Sequence, residues 1–228
     1  SMLIPGYYPM QTNRPNILFI MADDHAAKAI SAYEMAINST PNIDRIADEG
    51  MRLDHCYVTN SICTPSRLDN RLPNVAKHLQ AGGYQTAIIG KWHLGEGKDH
   101  KPTGFDFWSV LPGQGEYFDP AMIEMGKPIN EAGYVTDIIT EKSVRWLKEC
   151  DPNRPFFLMC HHKAPHREWE PSPVHRPSYK DHIQLPDTFD DDYKNVARAA
   201  AVAKMRIKSD LTYADLGLIQ PEGGREAG

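Results

Sequence analysis

Cysteine is scarce and unpatterned. Cys56, Cys63, Cys150 and Cys160 are the only four in 228 residues, with no C-x-x-C pair and no zinc spacing, so neither a disulfide framework nor a thiolate zinc site is indicated. Long apolar runs are also missing. The longest, Ile17 to Ala22, is much too short to cross a bilayer, and no charged-then-apolar signal pattern opens the chain, so no membrane span is expected. Positive charge is not in excess either. The formal net charge of −5 comes from interspersed residues without a basic stripe, which argues against nucleic acid as a partner and leaves small anions open. No internal repeat is present, and 41% hydrophobic with 24% charged residues is the balance of a folded globular chain rather than a disordered one.

What the sequence does contain is an alternation of short apolar runs and amphipathic stretches. Ile17 to Ala22 reads as a buried strand bounded by Pro15 and Asp23-Asp24, which puts both aspartates at its C-terminal end. "STPNIDRIADEG" gives a helix start at Thr40-Pro41, an inward face of Ile43, Ile46 and Ala47, and a stop at Gly50. A second strand is expected around Met51 to Val58. "LPNVAKHLQAGG" repeats the helix device, and "YQTAIIG" is then a strand ending at Gly90. Between Phe105 and Gly133, a Gly- and Pro-rich stretch with scattered aromatics predicts a long loop. Val135, Ile138, Ile139, Trp146 and Leu147 have helical spacing, and "PFFLMCHH" reads as another buried strand.

Strands alternating with helices argue an α/β fold with a largely parallel sheet covered by helices on both faces. One such domain over residues 15–215 is expected, with a leader over 1–14 and a flexible tail over 216–228. Ligands bind beyond the carboxyl ends of strands in sheets of this kind.

Several chemistry-bearing residues collect at those ends. Asp23 and Asp24 suit a hard divalent cation, although a lone Asp-Asp more often caps a helix. In "KWHLG", Lys91 and His93 can face one anion if the backbone is extended, since alternate side chains share a face, although such a pair alone is more often a solvated lysine and a packed histidine. "HHKAPHREW" brings His161, His162, Lys163, His166 and Arg167 to the same rim, where oxygen-rich partners favour proton transfer over transition-metal binding. Cys63, followed by Pro65 and Arg67 in "NSICTPSRLDN", reads either as a buried thiol beside a loop proline or as part of a catalytic centre.

Together these pieces resemble one family. Cys63-Thr64-Pro65-Ser66-Arg67 is similar to the C-x-P-S-R signature of type I sulfatases, members of the alkaline phosphatase superfamily. "NILFIMADD", "CTPSR", "GKWHLG" and "APH" also follow the family's order. The resemblance implies a sulfuric ester hydrolase in which a maturation enzyme oxidises Cys63 to formylglycine. The hydrated aldehyde attacks sulfur with one hydroxyl and expels sulfate with the other, splitting a hard hydrolysis into two easier steps.

It further implies that Asp23, Asp24 and the oxygen at matured Cys63 hold a divalent cation, usually Ca2+, which lowers the pKa of the nucleophile and draws off sulfate charge. Arg67 would hold the formylglycine hydroxyl, Lys91 would contact sulfate, His93 would stand beside the nucleophile, and His166 would protonate the leaving alcohol. A sulfated glycan, in particular an N-acetylglucosamine-6-sulfate, is the substrate class suggested by "HHKAPHREWEPSPVH" and "LPDTFDDDY", with Tyr117 or Trp108 as sugar-stacking platforms. The resemblance favours a periplasmic or secreted location.

Two departures from the family pattern stand beside the matches. Arg67 runs almost at once into "LDNRLPNVAKHL", where the family carries a further helix and a longer loop. The Asp-Asn-Gly-type motif that completes the metal site has no match after "APH". Omitted segments of a longer protein, a truncated domain and an inactive relative that kept the motifs each account for both gaps, and the abrupt joins favour the first. A phosphate or phosphonate monoesterase of the same superfamily, or a non-catalytic relative that binds sulfated sugar, stays open at this point.

Overall fold

The computed structural model describes residues 14–33, 37–57, 67–175, 185, 189–204, 206, 209–216 and 218–220. In chain order its elements are β1 (Ile17–Ala22), α1 (Pro41–Glu49), α2 (Val75–Ala81), β2 (Gln85–Lys91), β3 (Phe107–Leu111), β4 (Ala121–Glu124), β5 (Lys127–Asn130), α3 (Val135–Glu149), β6 (Phe156–His162) and α4 (Arg198–Val202). The chain forms two compact units, one from Ser1–Met21 with Pro65–His161 and the other from Ala22–Thr64 with His162–Gly228.

The first unit is built on a six-stranded sheet in the order β1-β6-β2-β3-β4-β5. β2 lies between two parallel neighbours, pairing Ile88 with Met159 of β6 and with Trp108 of β3. Beyond β3 the sheet turns antiparallel through β4 and β5. Side chains alternate between the faces of a strand, and the two faces take different helices. Phe157 packs with Ala76 and Leu79 of α2, whereas Cys160, an odd number of residues further on, accepts from the Ser143 hydroxyl of α3 at 3.4 Å. Helices therefore cover both faces, and β2 is apolar on both sides because it has no solvent face. Ala87, Ile88, Ile89 and Leu158 are fully buried, and each large aliphatic among them contributes roughly 1.5–3 kcal/mol by burial.

α2 starts at Asn74, whose side chain accepts from the Lys77 amide at 2.9 Å, so it satisfies one of the orphan donors of the first turn. The Gly- and Pro-rich stretch after Phe105, expected as a loop, instead holds β3 and the β4–β5 hairpin. Its glycines are turn residues: Met125 (φ 48°) and Gly126 (φ 86°) form the two-residue connection of the hairpin, whose positive φ values match strand twist.

β1 forms where expected but is not buried, since Leu18, Phe19, Ile20 and Met21 are each about half exposed. It stands first in the strand order, so one edge of it has no strand beside it among the described residues. The strand expected around Met51 to Val58 does not form over residues 51–57. Met51, Leu53 and Tyr57 are largely exposed, and among the described residues no neighbouring strand pairs with the segment to hold it extended.

In the second unit, α1 begins at Thr40-Pro41 and closes at Gly50 as expected. Asp44 anchors it, accepting from the Ser31 hydroxyl at 2.6 Å, the Thr40 hydroxyl at 2.9 Å and the Ala32 amide at 2.9 Å. The Ser31 hydroxyl above all holds this carboxyl below its ordinary range. The expected inward residues Ile43 and Ile46 are exposed, because the helix meets the turn at Ser31–Tyr33 through its polar first turn. Among the described residues no helix is long and apolar enough to cross a membrane.

Candidate active site

In the first unit the site is set by how β2 ends. Gly90 has φ 111°, and a Cβ there would lie 1.9 Å from the His161 carbonyl oxygen, so only glycine lets β6 come this close. The next residue, Lys91, is buried, and its carbonyl faces the His161 Nδ1 at 3.1 Å. The chain then leaves the sheet through His93, which has a positive φ of 44°. Gly95 is required in turn by the His100 ring, 2.7 Å from where its Cβ would be. His100 closes the segment, taking the Trp92 indole N–H on its carbonyl at 2.7 Å and facing the Leu68 carbonyl with its Nδ1 at 2.8 Å. The Leu68 amide donates to the Leu94 carbonyl at 2.9 Å, so the chain just after Arg67 is held beside the chain just after His93. Arg67 itself is exposed.

Lys91 and His93 converge on one side chain that sequence reasoning did not single out. The Lys91 ammonium donates to Gln114 Oε1, and Gln114 Nε2 faces His93 Nε2 at 3.4 Å. Gln114 follows β3 in a turn closed by the Gly115 amide on the Pro112 carbonyl at 3.0 Å. No motif marks it. The only sequence signal is its setting between Gly113 and Gly115, both with positive φ, in a stretch already noted as glycine-rich.

In the second unit, Asp24 has φ 63°, and its carboxylate lies 4.0 Å from His166 Nε2. The Asp24 side chain is 67% exposed and the His166 side chain 10%, so the carboxylate is open to solvent and the imidazole is not. The Asp23 amide donates to the Ala164 carbonyl at 3.2 Å, which ties the Asp-Asp pair to the turn carrying His166. The His166 Nδ1 faces the Arg167 carbonyl, a backbone acceptor that makes Nδ1 the protonated nitrogen and leaves Nε2 towards Asp24. Burial lowers the pKa of the neighbouring His162.

Cys63 lies outside the described residues. Asp23 and Asp24 are hard oxygen donors of the kind a divalent cation takes, and they match one in chemistry. They do not complete a shell: among the described residues no three Asp, Glu, His or Cys side chains gather as a metal ion would need. Tyr117 and Trp108, expected as sugar platforms, are 4% and 8% exposed. Tyr117 stacks on Tyr134 with ring centres 5.9 Å apart, and Trp108 packs with Ile88 and Val110, so neither presents a face to a ligand.

The sequence model of the Sulfatase family matches residues 15–69 and 67–205. The chain belongs to the sulfatase family. The two matched stretches meet at Arg67–Asp69, where the family pattern is interrupted in the sequence. An N-acetylglucosamine-6-O-sulfatase of Bacteroides thetaiotaomicron is 44% identical over 226 residues, covering 89% of this chain and 40% of its own length. Arylsulfatase J of Mus musculus is 31% identical, covering 76% of this chain and 35% of its own length.

Among solved structures, a protein in complex with its substrate D-glucosamine-2-N,6-O-disulfate superposes with a TM-score of 0.83 at 42% identity, over 92% of this chain and 47% of that one. The chain thus spans less than half the length of these relatives. The sheet with helices on both faces is the alkaline phosphatase-like fold of this sulfatase family, whose members generally use a divalent cation and a formylglycine.

Proposed function

We propose that this sulfatase-family protein hydrolyses sulfate esters of glycans, with a 6-O-sulfated glucosamine unit as substrate, using a nucleophile matured from Cys63. The observation that carries this reading is the likeness to a protein solved with D-glucosamine-2-N,6-O-disulfate, joined to the Lys91–His93 cluster at the end of a central strand. Two cationic or proton-bearing groups on one polar side chain suit an anionic ester group.

The roles follow from chemistry and position. Matured to formylglycine by a dedicated maturation enzyme, Cys63 supplies a hydrated aldehyde as nucleophile. Lys91 binds the sulfate oxygens and offsets the charge that builds up in transfer, usually the largest catalytic contribution. His93 orients a hydroxyl at the reacting centre, and Arg67 holds the nucleophile's oxygen. His166, with its proton fixed on Nδ1 by the Arg167 carbonyl, presents Nε2 to take up a proton and deliver it to the leaving alcohol. Asp23 and Asp24 would hold part of the shell of a divalent cation such as Ca2+, together with the oxygen at position 63. When bound, that cation acidifies the nucleophile and withdraws charge from sulfate. A periplasmic or secreted location accords with a glycan substrate.

The test is release of inorganic sulfate from glucosamine-6-O-sulfate, with p-nitrophenyl phosphate as a control ester. Sulfate release that is lost in Cys63→Ala, with binding of the sulfated sugar retained, is the expected result. Unchanged release by Cys63→Ala, or faster turnover of the phosphate ester, contradicts the assignment. Binding without turnover by the matured protein would make it a sulfated-sugar binder instead.

A further inference from the structure

Gln114 stands between the two groups that meet the anion in the proposed reaction. Its amide has two unlike ends, and the partners decide which way round it sits. A lysine ammonium can only donate, so Lys91 must face Oε1, which the structure shows. That leaves the NH2 end towards His93 Nε2. An NH2 group can only donate, and at 3.4 Å this long contact is a hydrogen bond only if His93 Nε2 is a bare lone pair, with the ring proton on Nδ1.

Chemistry also explains why an amide serves here. A carboxylate of the same shape would hold Lys91 equally well but would cancel its charge, leaving less attraction for an anionic ester. An amide orients the ammonium through its dipole and keeps the positive charge.

The backbone holds Gln114 in position. Lys91 and Leu111 are register partners across β2 and β3, so the turn after Leu111 returns over the end of β2. Gly115 makes that turn tight, since a Cβ there would lie 2.8 Å from Leu111 Cδ1.

We propose that Gln114 is a positioning residue: its side-chain amide fixes the Lys91 ammonium without neutralising it and holds His93 in the Nδ1–H tautomer. The proposal rests on the sulfatase reading for its catalytic consequence, but the tautomer does not depend on turnover. The test uses the full chain, with the His93 tautomer read by side-chain 15N NMR and sulfate release from glucosamine-6-O-sulfate measured in parallel.

Wild type is expected to show the Nδ1–H form. In Gln114→Ala, His93 is expected to populate the Nε2–H form, and kcat is expected to fall roughly tenfold, the scale of lost outer-shell support in enzyme sites. Gln114→Glu keeps the shape and is expected to lose activity as well, chiefly through weaker binding of the sulfated sugar and a raised KM. An Nε2–H ring in wild type, an unchanged tautomer in Gln114→Ala, or a Gln114→Glu variant with wild-type KM and kcat overturns the proposal. Should Gln114→Ala fail to fold, the isosteric Gln114→Glu carries the same decision. Absence of sulfate release by wild type with the Nδ1–H ring present would refute the sulfatase reading and leave the positioning role standing.

Discussion

Gly90 shapes the site through the side chain it lacks. The 1.9 Å separation between its missing Cβ and the His161 carbonyl is far inside any tolerable contact, and φ 111° is costly for an L-residue in its own right. Gly90→Ala must therefore push β2 and β6 apart just before Lys91. The expected loss is about 4 kcal/mol of unfolding free energy, measured by urea denaturation, with sulfate release lost in the same variant. A loss below about 1 kcal/mol would mean that the strands can part cheaply and that Gly90 does not set the position of Lys91.

Legibility at this scale depended on whether partners are close in sequence. Lys91 and His93 are readable because the last residue of a strand and the residues just after it leave from the same end of the sheet. Gln114 was not, because it reaches them only through the parallel pairing of β2 with β3. Trp108 and Tyr117 misled for a related reason. Aromatics in a glycine-rich stretch look exposed until β3 and the Tyr117–Tyr134 stack give them a core to occupy.

Among the described elements, the β4–β5 hairpin is fastened by charge. Lys142 of α3, whose side chain is 9% exposed, reaches Glu124 at 2.7 Å and Glu131 at 2.6 Å, so one ammonium ties both sides of the hairpin to the helix. Removing one partner of such a group leaves buried charge without compensation, but here the carboxylates are about a third exposed and solvent screens part of the loss. Lys142→Ala is accordingly expected to cost about 2 kcal/mol, read as a lower urea midpoint at an unchanged slope. A midpoint equal to wild type would show that apolar packing alone holds the hairpin.

Elements with an unambiguous pattern are legible in the sequence. β2 and β6 are apolar on both faces because parallel neighbours or helices cover them, and α3 shows its buried side as Val135, Ile138 and Ile139. The hairpin was not legible, since Gly126 and its neighbours carry turn signals at the expense of strand signals. Residues 51–57 fail the other way: Met51 and Leu53 alternate with Arg52 and Asp54 as in a strand, but no strand pairs with them among the described residues.

For the whole molecule, the sheet brings one set of proposed site residues to the end of β2 in the first unit, and the second unit sets Asp24 beside His166. Each set is readable as a motif, and the proposed function gives both a purpose. What no single-sequence pattern supplies is a full cation shell, because ligands from separate parts of a chain share no spacing. The proposed hydrolysis depends above all on Cys63, since an unmodified thiol has no second hydroxyl with which to expel sulfate.

The most direct measurement is therefore the mass of the peptide containing Cys63, taken from protein expressed together with a formylglycine-generating enzyme and assayed for sulfate release. The peptide from active protein is expected to carry the aldehyde in place of the thiol, with activity rising in proportion to the converted fraction. Active protein in which Cys63 remains entirely a thiol would contradict the proposed mechanism.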